Sequence, residues 1–220
     1  MACVDFIGAL HNRTKRDYVA RVTAHDKATC MEVAKAYGHD YWDGERQYGY
    51  GGYRYDGRWI PVARDMIEHF GLKPGMKVLD VGCAKGFLVA DLIRVCPGLE
   101  VYGLDISDYA LRKAEDGSEG RLVRGTCEEL PFADASFDAV IALNTLHNQD
   151  RDGVIRSLRE IVRVTRDQKA FVQVDSYLSE DQRKLFLEWV LTANFHDYPD
   201  GWFKVFAEAG YKGDWDWTIL

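Results

Sequence analysis

The sequence predicts an α/β protein: a doubly wound, mostly parallel sheet preceded by a cover of helices and aromatic loop. Three observations carry this. From Lys77 onward, short β-branched and apolar runs alternate with segments of helical spacing, the pattern of repeated βα units. The strand-like runs KVLDVG, VYGLDI, FDAVIALN and KAFVQVDSY are nearly all apolar, as strands must be when helices cover both faces of the sheet. A glycine-bearing turn, Gly82 to Gly86, links the first such run to the helical segment FLVADLIRVC.

Taken in order, the first expected helix is Asp26 to Tyr37, followed by a segment rich in rings and glycine from Asp40 to Trp59. Trp59 to Phe70 has helical spacing, with Pro61 near its start and Gly71, Pro74 and Gly75 closing it. The alternation then runs KVLDVG, FLVADLIRVC, VYGLDI, DYALRKAE, RLVRG, FDAVIALN, GVIRSLREIVRVT, KAFVQVDSY. Beyond it come helices from Glu180 to Ala193 and from Gly201 to Ala209, and a single last strand, DWDWTIL. The division expected is a cover or lid over residues 1–60 and a core over residues 61–220.

Composition excludes several classes. A chain of 220 residues with 47% hydrophobic content can bury a substantial core and is not disordered. No apolar run reaches the roughly 18 residues that span a bilayer. The charges of MACVDFIGALHNRTKR follow its apolar piece, the reverse of a secretory signal, so a cytoplasmic protein without a membrane partner is expected. Five cysteines without C-x-x-C spacing favour free thiols over a disulfide framework or a metal site. A net charge of −7 makes nucleic acid an unfavoured partner.

The turn after the first strand is where a doubly wound sheet binds a nucleoside-containing cofactor. Counting from Gly82, the positions that a dinucleotide fingerprint reserves for glycine hold Ala84 and Phe87, so a pyrophosphate reader, and with it a nicotinamide oxidoreductase, is disfavoured. Asp80 would repel a phosphate but suits a cationic amino group. Asp105 ends the next strand and can accept from both ribose hydroxyls. The polar turn Thr126, Cys127, Glu128 after the third strand can meet an adenine edge. Cys83, Ala84 and Ile106 complete the candidate cofactor wall, and Asn144 and Thr145, just past the fourth strand, are further candidate site residues.

These stretches, DVGCAKG, GLDIS and GTCEELPFADASFDAVIALNTLH, resemble the successive motifs of the class I, Rossmann-like S-adenosylmethionine-dependent methyltransferases over roughly Met76 to Ser176. The resemblance implies that Asp80, Gly82, Ala84 and Gly86 floor the methionine part, that Asp105 holds the ribose, and that Thr126 to Glu128 meet adenine. It implies S-adenosyl-L-methionine as cofactor and S-adenosyl-L-homocysteine as product. Two features depart from the family pattern. Thr126 stands where an acidic residue is common, and one strand follows KAFVQVDSY where the family commonly has a hairpin. NTLH after the fourth strand also differs from the N-P-P-[YF] tetrad of nucleic-acid amino-methylating relatives.

Methyl transfer is an in-line displacement, in which holding the acceptor close and dry matters most. A hydroxyl acceptor needs a base, and His147, expected at the lip of the crevice, is the candidate; the alternative reading is a capping histidine. The Asp40 to Trp59 segment holds five tyrosines, two tryptophans and three arginines, too aromatic for a disordered linker. It fits a lid and acceptor wall contributed by Tyr50, Tyr53, Arg54, Tyr55 and Arg58, or alternatively a structural cap or homodimer surface. Arg13 and Arg16 can hold an anionic group of a small acceptor, and His196, with Tyr198 and Trp202, can close the other side. The expected reaction is O- or carboxylate methylation of a small polar metabolite, with N-methylation open. The alternatives are a protein or RNA methyltransferase and a noncatalytic S-adenosylmethionine-binding protein.

Overall fold

The computed structural model describes residues 1–11 and 25–219. Arg13 and Arg16 lie outside them. Before the sheet come α1 (Gly8–His11), α2 (Lys27–Lys35), α3 (His39–Trp42) and α4 (Trp59–Phe70). Then follow β1 (Lys77–Val81), α5 (Phe87–Val95), β2 (Glu100–Asp105), α6 (Asp108–Arg112), β3 (Leu122–Arg124) and β4 (Ala139–Leu143). The chain continues through α7 (Arg151–Val164), β5 (Ala170–Asp175), α8 (Glu180–Trp189), α9 (Pro199–Ala209) and β6 (Asp214–Thr218).

The sheet order is β3-β2-β1-β4-β5-β6 and every pairing is parallel. Because β1 lies between β2 and β4, the strand order reverses there and a crevice opens at the carboxyl ends of β1 and β4. Alternation along each strand feeds two cores. Leu79, Val81, Val140 and Val172 pack beneath α7 and α9, against Leu158, Ile161, Trp202 and Phe206. Val78, Val101, Ile141 and Phe171 pack on the other face, against Val62, Met66 and Phe70 of α4 and Leu88 and Leu92 of α5. Each such fully buried side chain contributes about 1.5–3 kcal/mol relative to exposure, before conformational entropy is subtracted.

Local signals set the helix ends. Gly71 (φ 62°) stops α4 in the left-handed region that glycine tolerates best. Asp150 caps α7 by accepting from the Gly153 amide, and Pro199 opens α9. The short α6 stops at Arg112, well before the end of the DYALRKAE segment.

A hairpin beyond β5 is replaced by β6 running parallel to β5, with Asp175 beside Thr218. The outer edge of β6 is partly paired as well: the Val4 amide donates to Trp215 and the Trp215 amide to Ala2, both at 3.0 Å. The first residues of the chain therefore shield part of an edge that would otherwise expose unpaired backbone groups.

Candidate functional site

A cavity of about 790 Å³ opens at the switch point between β1 and β4. Its floor is the turn after β1. Gly82 has φ 80°, and a Cβ there would lie 1.8 Å from the Thr145 hydroxyl, so only glycine lets the loops after β1 and β4 approach this closely. Ala84 (φ 52°) and Asn144 (φ 50°) also take positive φ without being glycine, a concentration of backbone strain at one site.

Two buried carboxylates face this floor. Asp105 accepts from the Ala84 amide at 2.7 Å through one oxygen and from the Ser107 amide at 2.8 Å through the other. Burial raises its pKa against those backbone hydrogen bonds, which favour the charged form. Asp80 accepts no hydrogen bond from a described residue, and burial together with the Asp105 charge pushes its pKa up to about 7. A buried carboxylate with open lone pairs beside a second carboxylate is a site for a cation or a strong donor.

The remaining walls are Ile106, Thr126 and Cys127 on one side and Asn144 and Thr145 on another. Asn144 lines the cavity with its side chain already engaged, accepting from the Thr218 hydroxyl at 2.7 Å and donating to Gln173 at 3.3 Å. Over the top lies the aromatic segment. Trp42 and Tyr50 stack with ring centres 5.2 Å apart, Tyr53 stacks on Phe87 at 4.7 Å, and the Trp42 indole donates to Ser107 at 2.9 Å. Lys35, Arg46, Arg54 and Arg58 also border the cavity. Arg58 is forked onto Asp56 and Arg46 donates to the Gly49 and Tyr50 carbonyls, whereas Arg54 is exposed and pairs with no described carboxylate.

Several expected site residues lie elsewhere. His147 is buried rather than at the lip: its Nδ1 accepts from the Asp175 amide at 3.0 Å, its Nε2 lies 3.4 Å from the Asp175 carboxylate, and it does not line the cavity. Burial lowers its pKa, partly offset by Asp175. The geometry is that of a core histidine tying β5 to the turn after β4, and it counters the expectation of a base. His196 meets the Tyr177 hydroxyl at 3.2 Å and packs on Phe186, outside the cavity. Trp202 is a fully buried core ring under β5, not a pocket wall, and Tyr198 is turned toward Glu180. Tyr55 points away to donate to Asp91 at 2.6 Å. Glu128 receives Arg156 at 2.5 and 2.8 Å and takes no part in the lining. Gly86 (φ 73°) is the entry to α5 rather than a wall.

Residues 79–172 match the methyltransferase domain family. The sheet order and the paired carboxylates at the switch point agree with this match. The chain carries a methyltransferase domain, on the fold of the class I S-adenosylmethionine-dependent methyltransferases. It is 36% identical over 106 residues to sterol 24-C-methyltransferase ERG6B of Gibberella zeae, covering 44% of this chain and 28% of that one. It is 32% identical over 135 residues to cycloartenol-C-24-methyltransferase 1 of rice, covering 53% and 39%. The chain thus spans between 28% and 39% of the length of these two relatives. Among solved structures, it resembles a chain from the complex between the Haloferax volcanii Trm112 methyltransferase activator and a candidate methyltransferase, at TM-score 0.56 and 20% identity, over 67% of this chain and 66% of the other. That likeness shows the fold.

Trp42, Tyr41, Trp59, Asn148, Gln149 and Lys35 also line the cavity and were not among the expected site residues. The first three were within reach, because they sit in the aromatic segment already singled out. Lys35 is brought to the mouth by the packing of α2, which no local pattern encodes. No described helix is long and apolar enough to cross a membrane.

Proposed function

We propose that this chain transfers the methyl group of S-adenosylmethionine to a small acceptor carrying a negative charge, at an oxygen or carboxylate. The observation that supports it is the division of charge around the cavity: two buried carboxylates at the floor and four cationic side chains, Lys35, Arg46, Arg54 and Arg58, around the wall and mouth. When bound, S-adenosylmethionine supplies the electrophilic methyl carbon. Asp80 receives the cofactor's ammonium, for which its open lone pairs and neighbouring charge fit it. Asp105, held in place by two backbone amides, receives the ribose hydroxyls. Ile106, half exposed at the mouth, and Cys127 supply apolar surface for the adenine.

Tyr50, Tyr53 and Trp42 exclude water from the acceptor and limit the angles at which it approaches, which is most of what a displacement at a sulfonium methyl requires. The hydroxyl of Tyr53 is no base near neutrality, since burial, then Tyr50 and Asp80, push its pKa well above the usual phenol range. An acceptor that is already anionic at the reacting atom needs no base at all. Arg54, whose guanidinium has no described carboxylate partner, holds the acceptor's charge.

A second reading rests on the aromatic lining and on the names of the relatives: an isoprenoid acceptor, methylated at carbon, packed among Tyr41, Trp42, Tyr50, Tyr53 and Trp59. One assay separates the two. Release of S-adenosylhomocysteine is measured with a panel of phenolic, hydroxy and carboxylic acids and with sterols in detergent. Turnover confined to the acids supports the first reading, turnover with sterols replaces it by the second, and acceptor-independent binding without turnover points to a noncatalytic binding protein.

A further inference from the structure

Two contacts join the aromatic segment to the first βα unit, and none of the roles above uses them. Lys85 belongs to the glycine loop, is buried, and does not line the cavity. Its ammonium donates to both carboxylate oxygens of Asp43, at 2.7 and 2.6 Å, and to the Tyr53 carbonyl at 2.7 Å. Tyr109 of α6 donates to the same carboxylate at 2.8 Å, and Asp43 accepts the Tyr53 amide at 3.1 Å. Burial disfavours the charged Asp43, but the hydrogen bonds from Lys85 and Tyr109 outweigh it and hold the carboxyl below its usual range. The second contact runs from the Tyr55 hydroxyl to buried Asp91 at 2.6 Å, with Arg94 bonded to both.

We infer that Lys85 and Asp43 are positioning residues that latch the aromatic segment shut over the cavity, so that cofactor release requires their separation. The inference rests on the reading that an S-adenosyl compound occupies the cavity. Lys85 follows Ala84, whose amide anchors Asp105, so the ribose end of the cavity and the lid are fastened to the same loop. Tyr50 and Tyr53, which form the acceptor wall, lie between the two fastened points Asp43 and Tyr55. Removing the ammonium leaves the Asp43 carboxylate half-buried without its cation, and an uncompensated buried charge drives the segment outward to hydrate it.

Hydrogen exchange on the unliganded protein tests the latch directly. The amides of Tyr50 and Gly52 donate to the Tyr41 and Trp42 carbonyls within the segment, do not bond Asp43, and report loosening of the segment. In Lys85→Met and Asp43→Asn these amides are expected to exchange about tenfold faster or more, with the amides of β1 and β4 unchanged. S-adenosylhomocysteine, followed by stopped-flow fluorescence, is expected to leave both variants faster by a similar factor. The double variant should be no faster than Lys85→Met alone, and Lys85→Arg should recover part of the loss. Tyr109→Phe removes one hydrogen bond and should give a smaller rise in both rates, which keeps the test available if Lys85→Met does not fold. Wild-type exchange in Lys85→Met or Tyr109→Phe, multiplicative effects in the double variant, or unchanged dissociation from a variant with fast lid exchange would each overturn the latch. A wild-type protein that binds no S-adenosylhomocysteine overturns the coupling to release and, separately, the cofactor reading.

Discussion

Asp80 shows how one residue's environment fixes a measurable property of the whole site. Its ordinary pKa of 3.8 is pushed up to about 7 by burial and by Asp105, so below that pH the folded, unliganded chain holds a proton there. A bound ammonium favours the carboxylate, so binding below about pH 7 releases that proton. Affinity for S-adenosylhomocysteine is therefore expected to rise about tenfold per pH unit up to about pH 7 and then level off. Asp80→Asn should bind weakly and with a flat profile, as calorimetry across pH 5.5 to 8 would show; a steep profile that survives the substitution would remove Asp80 from this role. For stability the sign is reversed. Between 3.8 and about 7 the folded chain holds more protons at Asp80 than the unfolded one, so the residue's contribution falls as pH rises through that window.

His147 makes the complementary case. Its place just past β4, as the last residue of NTLH, suggested chemistry, but no pattern in the sequence could show that its Nδ1 is consumed by the Asp175 amide. His147→Ala leaves that buried amide without a partner and opens a void, and is expected to cost about 2–4 kcal/mol in urea unfolding. The pH dependence of turnover by the surviving folded fraction should be unchanged. A lost acidic limb in that profile would restore His147 as a base. Because its pKa is depressed, the stability His147 contributes is present above the ordinary value of 6.5 and is lost as pH falls below it.

Among the elements, legibility followed burial. Strands β1, β4 and β5 were readable because covered strands are continuously apolar, and α4 and α7 because one face of each is apolar and their ends are punctuated by Gly71 and Asp150. What could not be read was pairing at a distance. That β6 would lie parallel on β5 depends on pairing across 43 residues, from Phe171 to Asp214, and its partial shielding by Ala2 and Val4 on contacts across more than two hundred. Glu128 and Tyr55 fell outside the cavity for a similar reason, since their partners Arg156 and Asp91 sit on different helices.

The Gly82 turn is an element whose requirement can be tested by repair. Gly82→Ala sets a Cβ against the Thr145 side chain at a φ of 80°, and should cost about 2–4 kcal/mol and abolish cofactor binding. Adding Thr145→Gly removes the atoms in the way but not the backbone strain. The double variant should regain part of the stability and not all of it, as measured by denaturant midpoint. Full recovery would show the positive φ to be harmless, and no recovery would show that the clash lies elsewhere.

For the molecule as a whole, a net charge of −7 surrounds a cavity bordered, among the described residues, by four cations. An anionic acceptor is then repelled by most of the surface and drawn to one place, so its arrival depends on ionic strength in a way that cofactor binding does not. Arg54 is the cation best placed to matter, because Lys35, Arg46 and Arg58 already donate to Asn194, to backbone carbonyls and to Asp56. Arg54→Ala is expected to raise the acceptor KM about tenfold at low salt while leaving kcat and the Kd for S-adenosylhomocysteine within about twofold, a loss of uniform binding. The penalty should shrink as salt is raised, since screening weakens the wild type and has little left to weaken in the variant. A KM unmoved by Arg54→Ala at every salt concentration would mean that the acceptor carries no charge toward this rim. Specificity would then rest with the rings beneath it.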